Sequence, residues 1–326
     1  MAAQFESTLH DQLMDRRRKL ESAIAVSPER ASLNSLLLEV DAALSRMNDG
    51  SFGLCDVCHE PIESDRLAAN PLLRFCLDHL ADSQRRALEQ DLELASRIQS
   101  ALLPRPDFAY GGWQAAFHYE PLSVVSGDYC DLISAEDGSM YFMIGDVSGK
   151  GVAASMLMAH LNAMMRALAG LGLPLVQIME RASRVFCEST LASHFATLVC
   201  GRAERDGKVE ICNAGHSPTL LAQGDTVRTY NATSLPLGLF CNEEFSTEWL
   251  QLQRGDLLLL YTDGVSEARN SKGEEYGDSD IIETVRTRSW KSARELIHIC
   301  FSKVADFRAG TPPEDDLTLM AIQRIE

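Results

Sequence analysis

YFMIGDVSGKGVAASMLMAHL, residues 141–161, joins a short apolar run to a long one through a polar turn. The first run stops at Asp146, and Ser148-Gly149-Lys150-Gly151 makes the turn. The pattern predicts a β-strand ending at Asp146 and a helix over 151–169. A lysine between glycines invites a nucleotide-binding loop, but that loop needs four residues between its glycines and Ser or Thr after the lysine. Only three residues separate Gly145 from Gly149, and Gly151 follows Lys150. The working group left at this junction is the carboxylate.

The same ending recurs along the chain. VVSGDYCDLI presents Asp128 and Asp131, LLLLYTDGVSEA presents Asp263, and PPEDDLTLMAI presents Asp315 and Asp316 just before an apolar run. Any one of these could be a solvated turn residue. Several converging at strand edges would repel one another unless a cation joined them. Hard divalent ions take oxygen ligands of this kind, and two ions sharing a carboxylate can activate water and bind phosphate oxygens.

Around these residues the chain beyond Pro104 is strand-rich. MYFMIG, FATLVCG, VEIC, TLLAQGD, DLLLLY and LTLMAIQRI read as strands. Helical stretches are expected near 151–169, 174–191 and 292–307, giving two packed sheets covered by helices. Before Pro104 the reading is helical: one helix over 5–25 and a second after an N-cap at Ser27-Pro28, ending at the NDG of 48–50. A third, over 80–103, carries the stripe Leu88, Leu92, Ala95, Ile98 and Leu102. Such a stripe predicts packing against the chain's own strand-rich part or pairing with a second copy.

Between the second and third helices lie Cys55 and Cys58, then Cys76 and His79, each pair separated by two residues and the pairs by seventeen. Three thiolates and an imidazole at this spacing can close a tetrahedron around one structural Zn²⁺. A redox Cys-x-x-Cys would leave the second pair unexplained.

The 326 residues suit two or three domains, with 45% hydrophobic residues for their cores. A formal net charge of −17 disfavours nucleic-acid backbones and leaves divalent cations welcome. No apolar run is expected to span a membrane, and the first twenty residues lack a signal-peptide core. We therefore expect a cytoplasmic protein. Its six scattered cysteines, Cys130, Cys187, Cys200, Cys212, Cys241 and Cys300, read as small buried hydrophobes rather than a disulfide framework.

Two resemblances follow from these motifs. SGDYCD, GDVSGKG, NAGHSP, LPLGL, LLLLYTDGVSEA and EDDLTL, in this order, resemble PPM/PP2C-type serine phosphatases of the RsbU/SpoIIE branch over about residues 90–326, and LELASRIQSALLP resembles the helix that introduces their catalytic domain. DAALSRMNDGSFGLCDVCHEPIESDRLAANPLLRFCLDH resembles the zinc finger of DksA/TraR-type proteins over about 34–80, with His79 where that family commonly has cysteine.

The first resemblance implies an α+β protein whose phosphatase domain, 104–326, is an α/β/β/α sandwich. A helical hairpin (1–50), a small zinc finger (51–79) and a helical linker (80–103) would precede it. It implies two Mn²⁺ or Mg²⁺ ions. Asp146 would bridge them, Val147 would lend its carbonyl, Asp263 and Asp315 would complete one metal shell, and Asp128 would act through water. Asp146, Asp263 and Asp315 would thus be catalytic through the metals. Asp131 and Asp316 are left without a role. His216 in NAGHSP reads as a structural turn residue rather than a general acid, and Lys150 as solvated or substrate-docking.

In-line hydrolysis of phosphoserine or phosphothreonine on a protein partner, such as an anti-sigma-factor antagonist in bacterial partner switching, is the implied activity. A cysteine-based phosphatase would need Cys-x5-Arg, and Cys200 reaches Arg205 across only four residues. The alternatives are an inactive scaffold, which the retained aspartates oppose, and a zinc-finger transcription regulator with a phosphatase-like domain. A homodimer through 80–103 is expected by the same likeness.

Overall fold

The computed structural model describes residues 2–26, 30–79, 82–106, 108–191 and 193–326. The chain divides into two units, Met1–Asp91 and Leu92–Glu326.

In the first unit, α1 (Ala2–Val26) packs along α2 (Arg30–Asp49). Leu13 closes on Val40, Ala43 and Leu44, and Arg17 Nε reaches Asp41 at 2.8 Å. The expected N-cap at Ser27-Pro28 lies outside the described residues. After α2 the chain folds into a small knot with one short helix, α3 (Ser64–Ala69), and a 3₁₀ turn at Leu77–His79. Among the described residues, its buried apolar centre is Leu9, Cys55, Ile62, Leu67 and Cys76. The start of the third expected helix, residues 80 and 81, is likewise outside the described residues; α4 runs Asp82–Leu102.

The second unit is the sandwich. Its strands are β1 (Phe108–Tyr110), β2 (Trp113–Glu120), β3 (Asp128–Ser134), β4 (Met140–Val147), β5 (Ala196–Ala203), β6 (Lys208–Ala214), β7 (Thr219–Gln223), β8 (Thr226–Tyr230), β9 (Glu248–Gln251), β10 (Leu257–Tyr261) and β11 (Leu317–Arg324). One sheet has the order β1-β2-β11-β10-β7-β8 and the other β3-β4-β5-β6-β9. The outer helices are α5 (Gly151–Ala169) and α6 (Leu175–Ser189) on the five-stranded sheet, and α8 (Gly277–Arg286) and α9 (Ala293–Arg308) on the other, with the short α7 (Asp263–Ser266) between β10 and α8.

The strand LLLLY shows no alternation because both its faces are buried. Leu257, Leu259 and Tyr261 pack under α8 and α9, while Leu258 and Leu260 fill the space between the sheets. In β4, Tyr141 and Met143 meet α5 and α6, and Met140, Phe142 and Ile144 face the other sheet. The predicted α/β/β/α architecture is therefore present.

Several details differ from the sequence reading. α5 is 19 residues long with mean hydropathy 1.2, enough to cross a membrane by length and composition. Here Met158, Leu161 and Met165 instead bury one face of it in the core. Strands β1, β2, β8 and β9 and helices α3, α7 and α8 were not expected; β2 is WQAAFHYE, whose alanines, glutamine and histidine hide its period. The cysteine reading holds for Cys130, Cys200, Cys212 and Cys300, which are buried and free. It is corrected for the other two: Cys187 on α6 and Cys241 form a disulfide, with Cα atoms 5.3 Å apart. Their separation of 54 residues hides the pairing from sequence.

Candidate active site

The register of β3 on β4 sets Asp128 directly opposite Asp146. Both are strand-end residues, so the pair sits at the sheet edge. From the facing sheet, β10 and β11 are neighbours. Asp263 follows β10 as the first residue of α7, and Asp315 lies just before β11. The close approach needs glycines. A side chain at Gly264 would collide with the Asp316 carbonyl oxygen, 1.9 Å from an ideal Cβ. At Gly127 a Cβ would lie 3.0 Å from the Val147 carbonyl oxygen and 3.1 Å from Asp146 Oδ1. The tight turn into α5 uses Gly149 and Gly151 at φ +107° and +72°, values L side chains rarely adopt.

The electrostatics report convergence. Burial, and then the charges of Asp263, Asp315 and Asp316, push the Asp146 carboxyl up to about 7. Burial and Asp315 raise Asp263. Burial, followed by Asp146, lifts Asp128 well above its ordinary value. Carboxylates desolvated against one another in this way favour a bound cation. A cation of the chain's own already stands there: Lys150 Nζ is 3.0 Å from Asp315 Oδ2 and 2.9 Å from the Glu314 carbonyl oxygen. Lys150 is thus engaged at this edge rather than merely solvated.

Two aspartates left open by the sequence gain definite partners. Asp131 points away from the edge; its buried carboxylate takes a forked pair of bonds from Arg166 on α5, Nε and Nη2 each at 2.7 Å. Asp316 accepts the backbone N–H groups of Leu122 at 2.7 Å and Gly127 at 3.0 Å, so it shapes the loop leading to Asp128. His216 is buried, its Nδ1 2.8 Å from Thr197 Oγ1, and burial brings its pKa down to about 4. A neutral, enclosed imidazole suits the structural role expected of it.

Other contacts could not be read from sequence. Thr262 Oγ1 and Thr318 Oγ1 both donate to Asp128 Oδ2. Gln99, on α4, donates from Nε2 to the Ser126 carbonyl at 2.7 Å and accepts the Ser126 N–H at 3.0 Å. The only sequence hint of Gln99 is a polar residue next to the apolar stripe.

In the first unit the ligand atoms of Cys55, Cys58, Cys76 and His79 all lie within 4.8 Å of one another. The knuckle is tied by His59 N–H to the Cys55 carbonyl at 2.9 Å and by Cys55 N–H to the Glu60 carbonyl at 2.9 Å. Burial alone would raise the Cys55 thiol, but N–H groups of Cys58, Cys76 and Val57 bring it down to about 6, which favours a thiolate. The donor set fits zinc.

Residues 136–325 match the Stage II sporulation protein E (SpoIIE) family. The chain belongs to that family. Residues 50–78 match the prokaryotic dksA/traR C4-type zinc finger, a match that stops one residue before His79. Among curated relatives, Protein IcfG of Synechocystis sp. is 28% identical over 72% of this chain and 41% of its own length. Phosphoserine phosphatase RsbU of Bacillus subtilis is 25% identical over 73% and 71%. Phosphoserine phosphatase RsbP of the same species is 29% identical over 55% and 46%. The chain thus spans less than half of two of these relatives.

Among solved structures, the SiaA-PP2C domain of Pseudomonas aeruginosa superposes with a TM-score of 0.64 at 18% identity, over 76% of this chain and all of that one, which shows the shared fold. The RsbU and RsbW domains of Rv1364c from Mycobacterium tuberculosis give 0.57 at 27% identity, over 68% and 63%.

Proposed function

We propose that this SpoIIE-family chain is a metal-dependent protein serine/threonine phosphatase. The observation that carries the proposal is the meeting of Asp128, Asp146, Asp263 and Asp315 at one edge, with Asp146 raised to about 7 by burial and its neighbours. Two Mn²⁺ or Mg²⁺ ions fit these residues: the donors are hard oxygens, and Gly127 leaves open the space beside Asp146 Oδ1 and the Val147 carbonyl. Asp146 would hold both ions, Val147 would lend its carbonyl, Asp263 and Asp315 would complete one shell, and Asp128 would bind through water. When bound, the ions supply an activated water and neutralise the phosphoryl oxygens.

The chain's own groups do the rest. The β3–β4 register fixes Asp128 against Asp146. Asp316 holds the 122–127 loop so that phosphate enters over a preformed edge. Lys150 yields Asp315 and remains beside the site as an ammonium able to meet a phosphate oxygen. His216, neutral and enclosed, takes no proton from the substrate.

The substrate class is a phosphorylated protein, in line with relatives named phosphoserine phosphatases. A phosphorylated anti-sigma-factor antagonist in a partner-switching pathway is the specific candidate. The domains we assign are 1–50 hairpin, 51–79 finger holding one structural Zn²⁺ through Cys55, Cys58, Cys76 and His79, 80–103 linker, and 104–326 phosphatase. The protein would work in the cytoplasm as a homodimer through the linker, where Leu94 and Ile98 are 54% and 56% exposed.

The central test is turnover of a phosphoserine protein across a manganese titration of chelator-treated chain. Asp146→Asn should fall at least about a hundredfold, since one carboxylate serves both ions, and His216→Ala should fall far less. Undiminished activity in Asp146→Asn removes the assignment. The dimer is tested separately by light scattering. Native chain should run as a dimer and Leu92→Asp/Ile98→Asp should shift toward monomer; a monomeric native chain ends that idea.

A further inference from the structure

Asp128 is the most enclosed carboxylate of the edge, 1% exposed. One of its oxygens is already committed. Oδ2 accepts Thr262 Oγ1 at 2.9 Å and Thr318 Oγ1 at 2.5 Å. Both threonines belong to the opposite sheet's side of the sandwich. Thr262 precedes Asp263, Thr318 lies three residues after Asp315, and both are buried.

The two are also locked to each other. Thr262 N–H reaches the Thr318 carbonyl at 3.0 Å, and Thr318 N–H reaches Thr262 Oγ1 at 3.0 Å. The second bond uses the Thr262 hydroxyl as acceptor; of the two acceptors its own proton can reach, Asp128 Oδ2 at 2.9 Å is nearer than the Thr318 carbonyl at 3.5 Å. The Thr318 hydroxyl aims its proton at the same oxygen. Two donors on Oδ2 favour a charged carboxylate and leave Oδ1 as the oxygen free to serve a cation or its water.

We propose that Thr262 and Thr318 are positioning residues of the metal centre. They hold Asp128 across the gap between the sheets. Because each is tied to backbone beside Asp263 or Asp315, they also fix the spacing between the β3–β4 carboxylates and the β10–β11 carboxylates. Partners of ligands tune metal affinity in this way, with losses of 10- to 100-fold on their removal. The inference deepens the metal-centre reading given above and rests on it. A threonine to valine change keeps the shape but deletes the proton. It leaves a buried carboxylate oxygen short of a donor.

The test is calorimetric titration of Mn²⁺ into the zinc-loaded full chain, with melting of the manganese-free protein measured beside it. Thr318→Val should weaken manganese binding by about tenfold or more. Thr318→Ser, which keeps the hydroxyl, should stay within about twofold of native by the same reasoning. Thr262→Val should behave like Thr318→Val and keeps the test open if Thr318→Val does not fold. A purely structural role would lower the melting temperature of the valine variants while leaving manganese affinity native, and that result overturns the proposal. So does a Thr318→Ser loss as large as that of valine. A native chain that binds no manganese, with Asp146→Asn indistinguishable from it, overturns the metal-centre reading itself. Native binding with unaffected valine variants overturns only the threonine role.

Discussion

The two candidate ligand clusters of this chain are built in opposite ways. Cys55, Cys58, Cys76 and His79 lie within one short segment around a centre of five buried apolar residues. Asp128, Asp146, Asp263 and Asp315 span nearly the whole second unit and are brought together by two sheets with three apolar cores. On the proposed reading, the finger's fold would need its ion, whereas at the carboxylate edge the ion would need its fold. A local cluster of soft ligands substitutes for a core that is too small; a dispersed cluster of hard ligands is affordable only where packing already holds the strands.

The largest effect that could break this contrast is zinc removal. Metal analysis should find one zinc per chain, and a strong chelator should make residues 51–79 sensitive to protease while the second unit melts much as before. A finger that stays resistant and cooperative without zinc would erase the distinction. A middle-sized effect sharpens it from the other side. The second unit should depend on its internal pairs more than on metal, and Asp131 is wholly buried beneath a half-exposed Arg166. Arg166→Met leaves that carboxylate unpaired and should cost about 2 kcal/mol in denaturant unfolding, below the range for fully buried pairs because solvent reaches the arginine. An unchanged midpoint would show that the pair adds little.

The smallest effect is a pH slope. His216 has a folded pKa of about 4 against an ordinary 6.5, depressed by burial. Between these values the unfolded chain binds more protons, so the contribution is complete above 6.5 and is lost as pH falls toward 4. The raised carboxyls of the edge slope the opposite way but are common to both proteins, so the melting temperature of the native chain should fall relative to that of His216→Gln as pH drops through that window. An identical slope in the variant would place the histidine in a wetter setting.

What could be read from sequence follows the same division. The finger was legible because its four ligands sit at short fixed spacings. The aspartates were legible because each borders an apolar run, Asp146 and Asp263 after one and Asp128 and Asp315 before one, and a run betrays its strand. Their partners were not. Thr318 meets Asp128 from 190 residues away, Arg166 meets Asp131 from 35, and Cys187 meets Cys241 from 54. None of these pairs shares a helical or strand period, so only the assembled sheets bring them together. Edge strands β8 and β9 were missed for a related reason: half-exposed residues leave no apolar signature.

Gln99 carries a consequence for solvent exchange. A side-chain amide offers the same donor and acceptor as a peptide group, so Gln99 serves Ser126 as a single rung of β-ladder although Ser126 lies outside any strand. Its amide hydrogen can trade for deuterium only when that rung opens. Ser126 stands two residues before Asp128, and its hydroxyl accepts the Asp128 N–H at 3.0 Å. Deuterium uptake at this one amide therefore clocks how often the last turns of α4 let go of the loop that carries Asp128.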